Sequence, residues 1–254
     1  MKRTLFVMAA LATVSMVSAQ SLYNNSTGRN GVLGDTTGLV TVARGAGGFY
    51  SVLQGGNTTL GFGVQSAVPN RMADDFVVSA GGWLVTSVVL FSYQTGSTGT
   101  AGSAGTINGA NVEIRNGTEA GAVAATGTFA SSVFTNIYRT GTTLGDTRQI
   151  QRVTINFASP ILTAGTKWLT FDIGGTGTSG PWAPAITRIG AAQPTGSVNA
   201  KQSIGGVWAG VSDGSTLATQ DLPFYINGQP VPEPASMMAL GLGAAALLRR
   251  RKKA

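Results

Sequence analysis

Two short strings carry the spacing of catalytic motifs. Gly210-Val-Ser-Asp-Gly214 has the form of a nucleophile elbow, and Gly175-Thr-Gly-Thr-Ser-Gly180 that of a dinucleotide-binding turn. The elbow works by lifting a serine toward a histidine base on a strand-to-helix turn. This chain has no histidine, and no helical pattern follows Ser212. The glycine turn works by aiming a helix N-terminus at a pyrophosphate. Here Pro181-Trp-Ala-Pro184 stands where the helix must begin. Among 254 residues with 37 glycines, both spacings arise by chance. The lack of histidine also removes the commonest general base and the commonest zinc ligand.

The carboxylates give no facing pair. Asp74 and Asp75 are neighbours in an extended segment, so their side chains point to opposite faces. A glycosidase needs two carboxyl groups roughly 5 to 9.5 Å apart across a cleft. Asp172, Asp213 and Asp221 are candidate partners, but nothing in the sequence brings them together. Structural calcium needs several oxygen ligands, and no aspartate-rich loop is visible. The expectation is solvation of turns and edges, with no catalytic residue, cofactor or metal. Of the tryptophans, Trp83, Trp168 and Trp208 sit in strand-like runs and read as core or edge packing. Trp182 stands between prolines in a glycine loop, either as a plug over one end of the fold or as an exposed indole. An indole face is a flat apolar surface on which a sugar ring stacks. Trp182, with Trp168 as a second ring, is the candidate sugar platform.

Strands must position these residues. Ala73-Asp-Asp-Phe-Val-Val78 is followed by a Gly81-Gly82 turn and a β-branched and aromatic run from Trp83 to Tyr93. Residues 94–106 are Gly/Ser/Thr-rich and read as a flexible loop. Asn111 to Arg115 alternates, Asn116-Gly117 is a hairpin signal, and Val123 to Phe129 is the return strand. Arg152 to Phe157 alternates again. Lys167 to Ile173 puts Leu169, Phe171 and Ile173 on one face, with Trp168, Thr170 and Asp172 opposite. Val207 to Val211 and Leu222 to Ile226 are the last short strands, and Asn227-Gly228 leads out. Before residue 70, Leu39 to Val42, Phe49 to Leu53 and Asn57 to Val64 read as edge strands. No helical stripe lies between the two ends, which predicts an all-β antiparallel sandwich of jelly-roll type. The glycosylation-type triplets at Asn24, Asn25, Asn57 and Asn116 read as turn residues.

The ends are of a different kind. Met1-Lys2-Arg3, an apolar run from Leu5 to Val17 and Ser18-Ala19-Gln20 form a secretory signal peptide, predicted as a helix and cut after Ala19. At the other end, Pro232-Glu233-Pro234 precedes an apolar run from Ala235 to Leu248 and the basic block Arg249, Arg250, Arg251, Lys252 and Lys253. The prolines hold the helix start behind them. Fourteen residues give about 21 Å of helix, short of the ~30 Å hydrocarbon core. The basic side chains reach the headgroups and stay on the cytoplasmic side, so the body lies outside. Seven of the 17 basic residues lie in these ends, and Glu233 is the one acidic residue there. Ten basic and nine acidic residues remain between them, so the formal charge of +7 is an address and not a nucleic-acid surface. There is no cysteine, and a body of this length buries a core without disulfides.

The Pro-Glu-Pro-Ala-Ser start, the Ala-Leu-Gly-Leu-Gly middle and the arginine-rich end resemble the PEP-CTERM sorting domain of bacterial exported proteins, over residues 231–254 alone. The resemblance implies a membrane protease of the exosortase type as partner, transient anchoring in the inner membrane, and final release to the cell surface or an extracellular polysaccharide matrix. Ala73-Asp-Asp-Phe76, the tryptophan-led strand, Ala164-Gly-Thr-Lys-Trp-Leu169 and Gly180-Pro-Trp-Ala-Pro184 are also similar to β-sandwich modules of other bacterial surface proteins. That likeness implies no activity. The expected organisation is a signal peptide over 1–19, a glycine-rich region over 20–70, a β-sandwich over 71–228 and the sorting segment over 231–254. The expected role is structural or adhesive and non-enzymatic. A carbohydrate-binding module is the alternative, and a glycosidase built on two aspartates a weaker third.

Overall fold

Alternating apolar and polar residues, cut by glycine turns, produce strands and nothing else in the part of the chain that the computed structural model describes, residues 20–25, 37–186 and 198–232. They are β1 (Gln20–Asn24), β2 (Val42–Ala43), β3 (Phe49–Val52), β4 (Phe62–Gly63), β5 (Asn70–Val78), β6 (Trp83–Tyr93), β7 (Ile107–Asn116) and β8 (Val123–Thr140). There follow β9 (Gln149–Asn156), β10 (Ile161–Leu162), β11 (Gly165–Gly175), β12 (Trp182–Ala183), β13 (Lys201–Ile204), β14 (Val207–Gly210) and β15 (Phe224–Pro230). The main hydrogen-bonded path runs β1-β15-β6-β9-β8-β7-β11-β5-β13-β14. Pairing between strands is antiparallel except where β3 runs parallel to β8.

The 18-residue β8 lets one sheet enclose a core. Its first part pairs with β7, and from Thr128 onward it pairs with β9. The β9 register shifts between Phe129 and Ser131 and again between Phe134 and Tyr138. Such bulges bend a strand and raise its twist. The sheet therefore curls into two arms, β7-β11-β5-β13-β14 and β9-β6-β15-β1. Between them lie Val112, Ile114, Leu169, Phe171, Met72 and Phe76 from one arm, with Val88, Leu90, Val153, Ile155, Phe224 and Ile226 from the other. Phe76 joins the arms. Its ring centroid lies 5.7 Å from Tyr23, 6.0 Å from Trp83 and 6.2 Å from Phe224.

Several expectations need correction. The all-β, antiparallel class holds, but the strands belong to one curled sheet instead of two separate ones. Residues 37–64 do more than extend an edge. Leu39 and Val40 pack with Val89, Phe91, Tyr93, Ile137 and Ile150 in a second cluster, on the opposite side of β6 from the main core. Asn227-Gly228 is not an exit turn but lies inside β15, where a register shift accommodates it against β6. A Cβ at 228 would run into the Leu84 carbonyl, so only glycine fits the bulge. The 94–106 segment is tied down. Gly102 and Gly105 N–H donate to Phe134 and Ser132 carbonyls, and the Gln149 amide brackets Gly99 at 2.7 and 2.9 Å. The predicted helices of the signal peptide, including Ala19, and of the tail lie outside the described residues. Among the described residues there is no helix, hence none long and apolar enough to cross a membrane.

Candidate functional site

Trp182 is held by its neighbours on both sides. β12 is two residues long and pairs with Gly63 of β4 and Tyr93 of β6. Gly180 has φ of +100°, and a Cβ there would lie 2.5 Å from Trp182 Cδ1 and 2.8 Å from Nε1. Only glycine lets the chain lie against that edge of the indole. The ring is half-buried against the second cluster and lines an open cleft of about 220 Å³.

The rest of the cleft is polar at the rim and aromatic at the base. Tyr93 ends β6 and Thr95 follows it, Leu60 and Gly61 come from the covering segment, Arg148 precedes β9, and Ser179 precedes Trp182. Tyr93 is 2% exposed, yet among the described residues its hydroxyl has no hydrogen-bond partner. A Cβ at Gly61 would lie 2.9 Å from that hydroxyl, so glycine keeps the approach open. Burial pushes the phenol pKa up to about 12 against the pull of the Arg139 and Arg148 guanidinium groups, so it is a neutral donor and acceptor. The Arg148, Thr95 and Ser179 side chains and the Trp182 indole N–H likewise have no partner among the described residues. Behind the wall, buried Arg139 donates from Nε to the Leu60 carbonyl at 2.7 Å and from Nη1 to Ser51 Oγ at 2.9 Å, fixing that side. Burial lowers its pKa to about 10, and it stays charged at neutral pH.

Trp168 does not join Trp182. It is 7% exposed on β11, and Lys201 Nζ lies 4.9 Å above its ring while pairing with Glu119 at 2.9 Å. A ring covered in this way offers no platform to a sugar. Trp83 is also buried, its Nε1 donating to Ser79 Oγ at 2.9 Å. Neither Tyr93 nor Arg148 stands out in the sequence, because the cleft draws on four separated segments and no local spacing marks it.

The motif-like strings resolve into structure. Asp213, inside the elbow-like string, accepts four backbone N–H groups, from Thr58 and Thr59 at 2.8 Å and from Ser215 and Thr216 at 2.9 and 3.0 Å. Burial raises its pKa, but these donors outweigh it and hold the carboxyl well below the usual range. Asp74 and Asp75 lie on opposite faces, as strand alternation requires. Asp74 is 1% exposed and accepts from Leu222 N–H at 2.9 Å and Asn25 Nδ2 at 3.3 Å. Burial, then the neighbouring buried Asp221 carboxyl, pushes the Asp74 pKa well up. This pair is enclosed and in contact, unlike carboxylates set across a cleft. Asp172 lies apart from them, 3.4 Å from Arg71 Nε and bonded to Asn111 at 2.7 Å. Among the described residues no group of three or more acidic side chains gathers to hold a metal ion. A larger depression of about 420 Å³ beside the β13–β14 hairpin is lined by Phe62, Ile204, Val207 and Val211 with Gln202 and Ser212, and by no charged side chain among the described residues.

Of the sorting residues, Pro232 is exposed at the end of the described chain. Just before it, Val231 N–H donates to the Gly82 carbonyl at 2.9 Å, so the tail departs beside the β5–β6 turn. Glu233, Pro234 and the basic block Arg249, Arg250, Arg251, Lys252 and Lys253 lie outside the described residues. No curated protein matches the chain. Residues 230–252 match the PEP-CTERM protein-sorting motif. The C-terminal segment is therefore a PEP-CTERM sorting motif, which implies export and anchoring at a membrane for processing by an exosortase.

Proposed function

We propose that this chain is an exported protein, released from a transient inner-membrane anchor at Pro232-Glu233-Pro234, with a non-enzymatic structural or adhesive role at the cell surface or in a polysaccharide matrix. The observation that carries the reading is the sorting motif over 230–252. A near-neutral body with its charge concentrated at the two ends supports it. The facing arms of the curled sheet support a jelly-roll-like description of the body. Fractionation of cells tests it. The wild-type body collects outside the cell, and a chain with all three Pro-Glu-Pro residues changed to alanine stays with the membrane. Equal distribution of the two overturns the reading.

The Trp182 cleft favours a second, compatible reading, adhesion through a carbohydrate-binding site. A framed indole beside unpartnered hydroxyl, phenol and guanidinium groups is the equipment that sugar recognition uses. Binding of the exported protein to a glycan array, lost in Trp182→Ala, is the expected result. A flat array sinks this reading and leaves the first.

A further inference from the structure

We propose that the Trp182 cleft takes an acidic sugar, a uronate residue, stacked on the indole with its carboxylate on Arg148. This rests on the carbohydrate-binding reading and narrows its ligand. A neutral sugar would satisfy the ring and the hydroxyl groups but leave the guanidinium without a counter-charge.

Three observations point to an anion. First, the Arg148 guanidinium has no ion-pair or hydrogen-bond partner among the described residues. The nearest acid along the chain, Asp146, is already engaged. Arg44 grips both of its oxygens at 2.7 and 2.9 Å, and Tyr50 donates to it at 3.0 Å. Second, among the described residues no carboxylate lines the cleft, whereas two guanidinium groups, Arg148 at the rim and Arg139 behind Leu60, both act on the Tyr93 phenol. The local field is positive although the body as a whole is near neutral. Third, the Tyr93 ring is almost wholly buried while its hydroxyl, without a partner among the described residues, opens into the cleft, where one bound oxygen can bond to it. Guanidinium meets carboxylate with two parallel hydrogen bonds, which fixes the orientation of the sugar as well as its charge. The cleft, about 220 Å³ and open to solvent, presents one indole face, so stacking engages one ring of a chain.

The test is calorimetric titration of the exported protein with oligogalacturonate, oligomannuronate and hyaluronan oligomers, each beside its carboxyl-reduced neutral twin. At least one uronate binds, and its neutral twin binds about tenfold more weakly, the scale of one charge-assisted pair. Arg148→Gln, which breaks no internal side-chain bond, abolishes that preference, so that acid and neutral twin bind equally. Trp182→Ala loses both. Equal binding of acid and twin by the wild-type protein, or a preference that survives Arg148→Gln, overturns the uronate assignment and leaves the carbohydrate reading standing. Absence of binding by all six probes overturns both. Uronate binding untouched by either substitution places the site elsewhere and also overturns the proposal.

Discussion

Two buried aspartates of this chain respond to pH in opposite directions, and their hydrogen-bond partners decide the sign. Asp213 accepts four backbone N–H groups, which prefer the charged form, so it stabilises the fold at neutral pH and loses that contribution on strong acidification. Asp213→Asn turns an amide N–H₂ toward donors and removes the charge from those bonds. The expected loss is about 2–3 kcal/mol, read by denaturant unfolding at pH 7. Asp74 behaves in the reverse way. Its folded pKa lies above the ordinary 3.8 because burial and Asp221 disfavour its charge. Between 3.8 and that raised value the folded state holds more protons than the unfolded one, so this contribution is greatest in acid and falls as pH rises. Asp221→Asn removes the repulsion and can donate to Asp74. The variant is expected to be more stable than wild type above neutral pH, by on the order of 1 kcal/mol, with the two curves converging below the ordinary aspartate pKa. Parallel curves across the whole range would contradict the pairing.

The strands show where sequence reading succeeds and where it stops. The run from Trp83 to Tyr93 coincides with β6, and the alternation of Leu169, Phe171 and Ile173 places all three in the core, because side-chain period and burial are local consequences of the pleat. The Asn116-Gly117 hairpin is also found, with Gly117 at φ of +73°. The sequence pattern marks β8 only as far as Phe129. Its continuation to Thr140 reads weakly because β8 carries two register shifts and many small polar residues. The 94–106 segment reads as a loose loop, since the amide side chains of Gln149 and Gln151 that pin it lie some 45 residues or more away. The pairing of Asp74 with Asp221 and the Trp182 cleft escape for the same reason. Both are assembled by the curl of the sheet. That curl makes its own demands. A Cβ at Gly127 would meet Ile155 and lie 2.8 Å from the Phe157 ring. Gly127→Ala is expected to cost about 1–3 kcal/mol in thermal or denaturant unfolding. Phe76→Ala opens the contact between the arms and is expected to cost about 3–5 kcal/mol.

At the scale of the whole molecule, location and binding are separate matters. The basic residues that set the net charge of +7 lie at the two ends, while the body carries nearly balanced charge and places Arg148 in the lining of one cleft. The tail leaves beside the β5–β6 turn, after β15 has completed its pairing with β6 and β1, so its removal breaks no strand of the sheet. The body is therefore expected to unfold at the same denaturant concentration with and without residues 233–254. The sorting motif is the one stretch to which a comparison with known proteins attaches a role, and its fate decides the account. Mass spectrometry of the C-terminus of the protein recovered from outside the cell measures that fate directly. A chain ending at or near Pro232-Glu233-Pro234 is the predicted result. Recovery of the intact sequence through Arg249 to Ala254 would contradict processing of the tail and leave a simple anchor in its place.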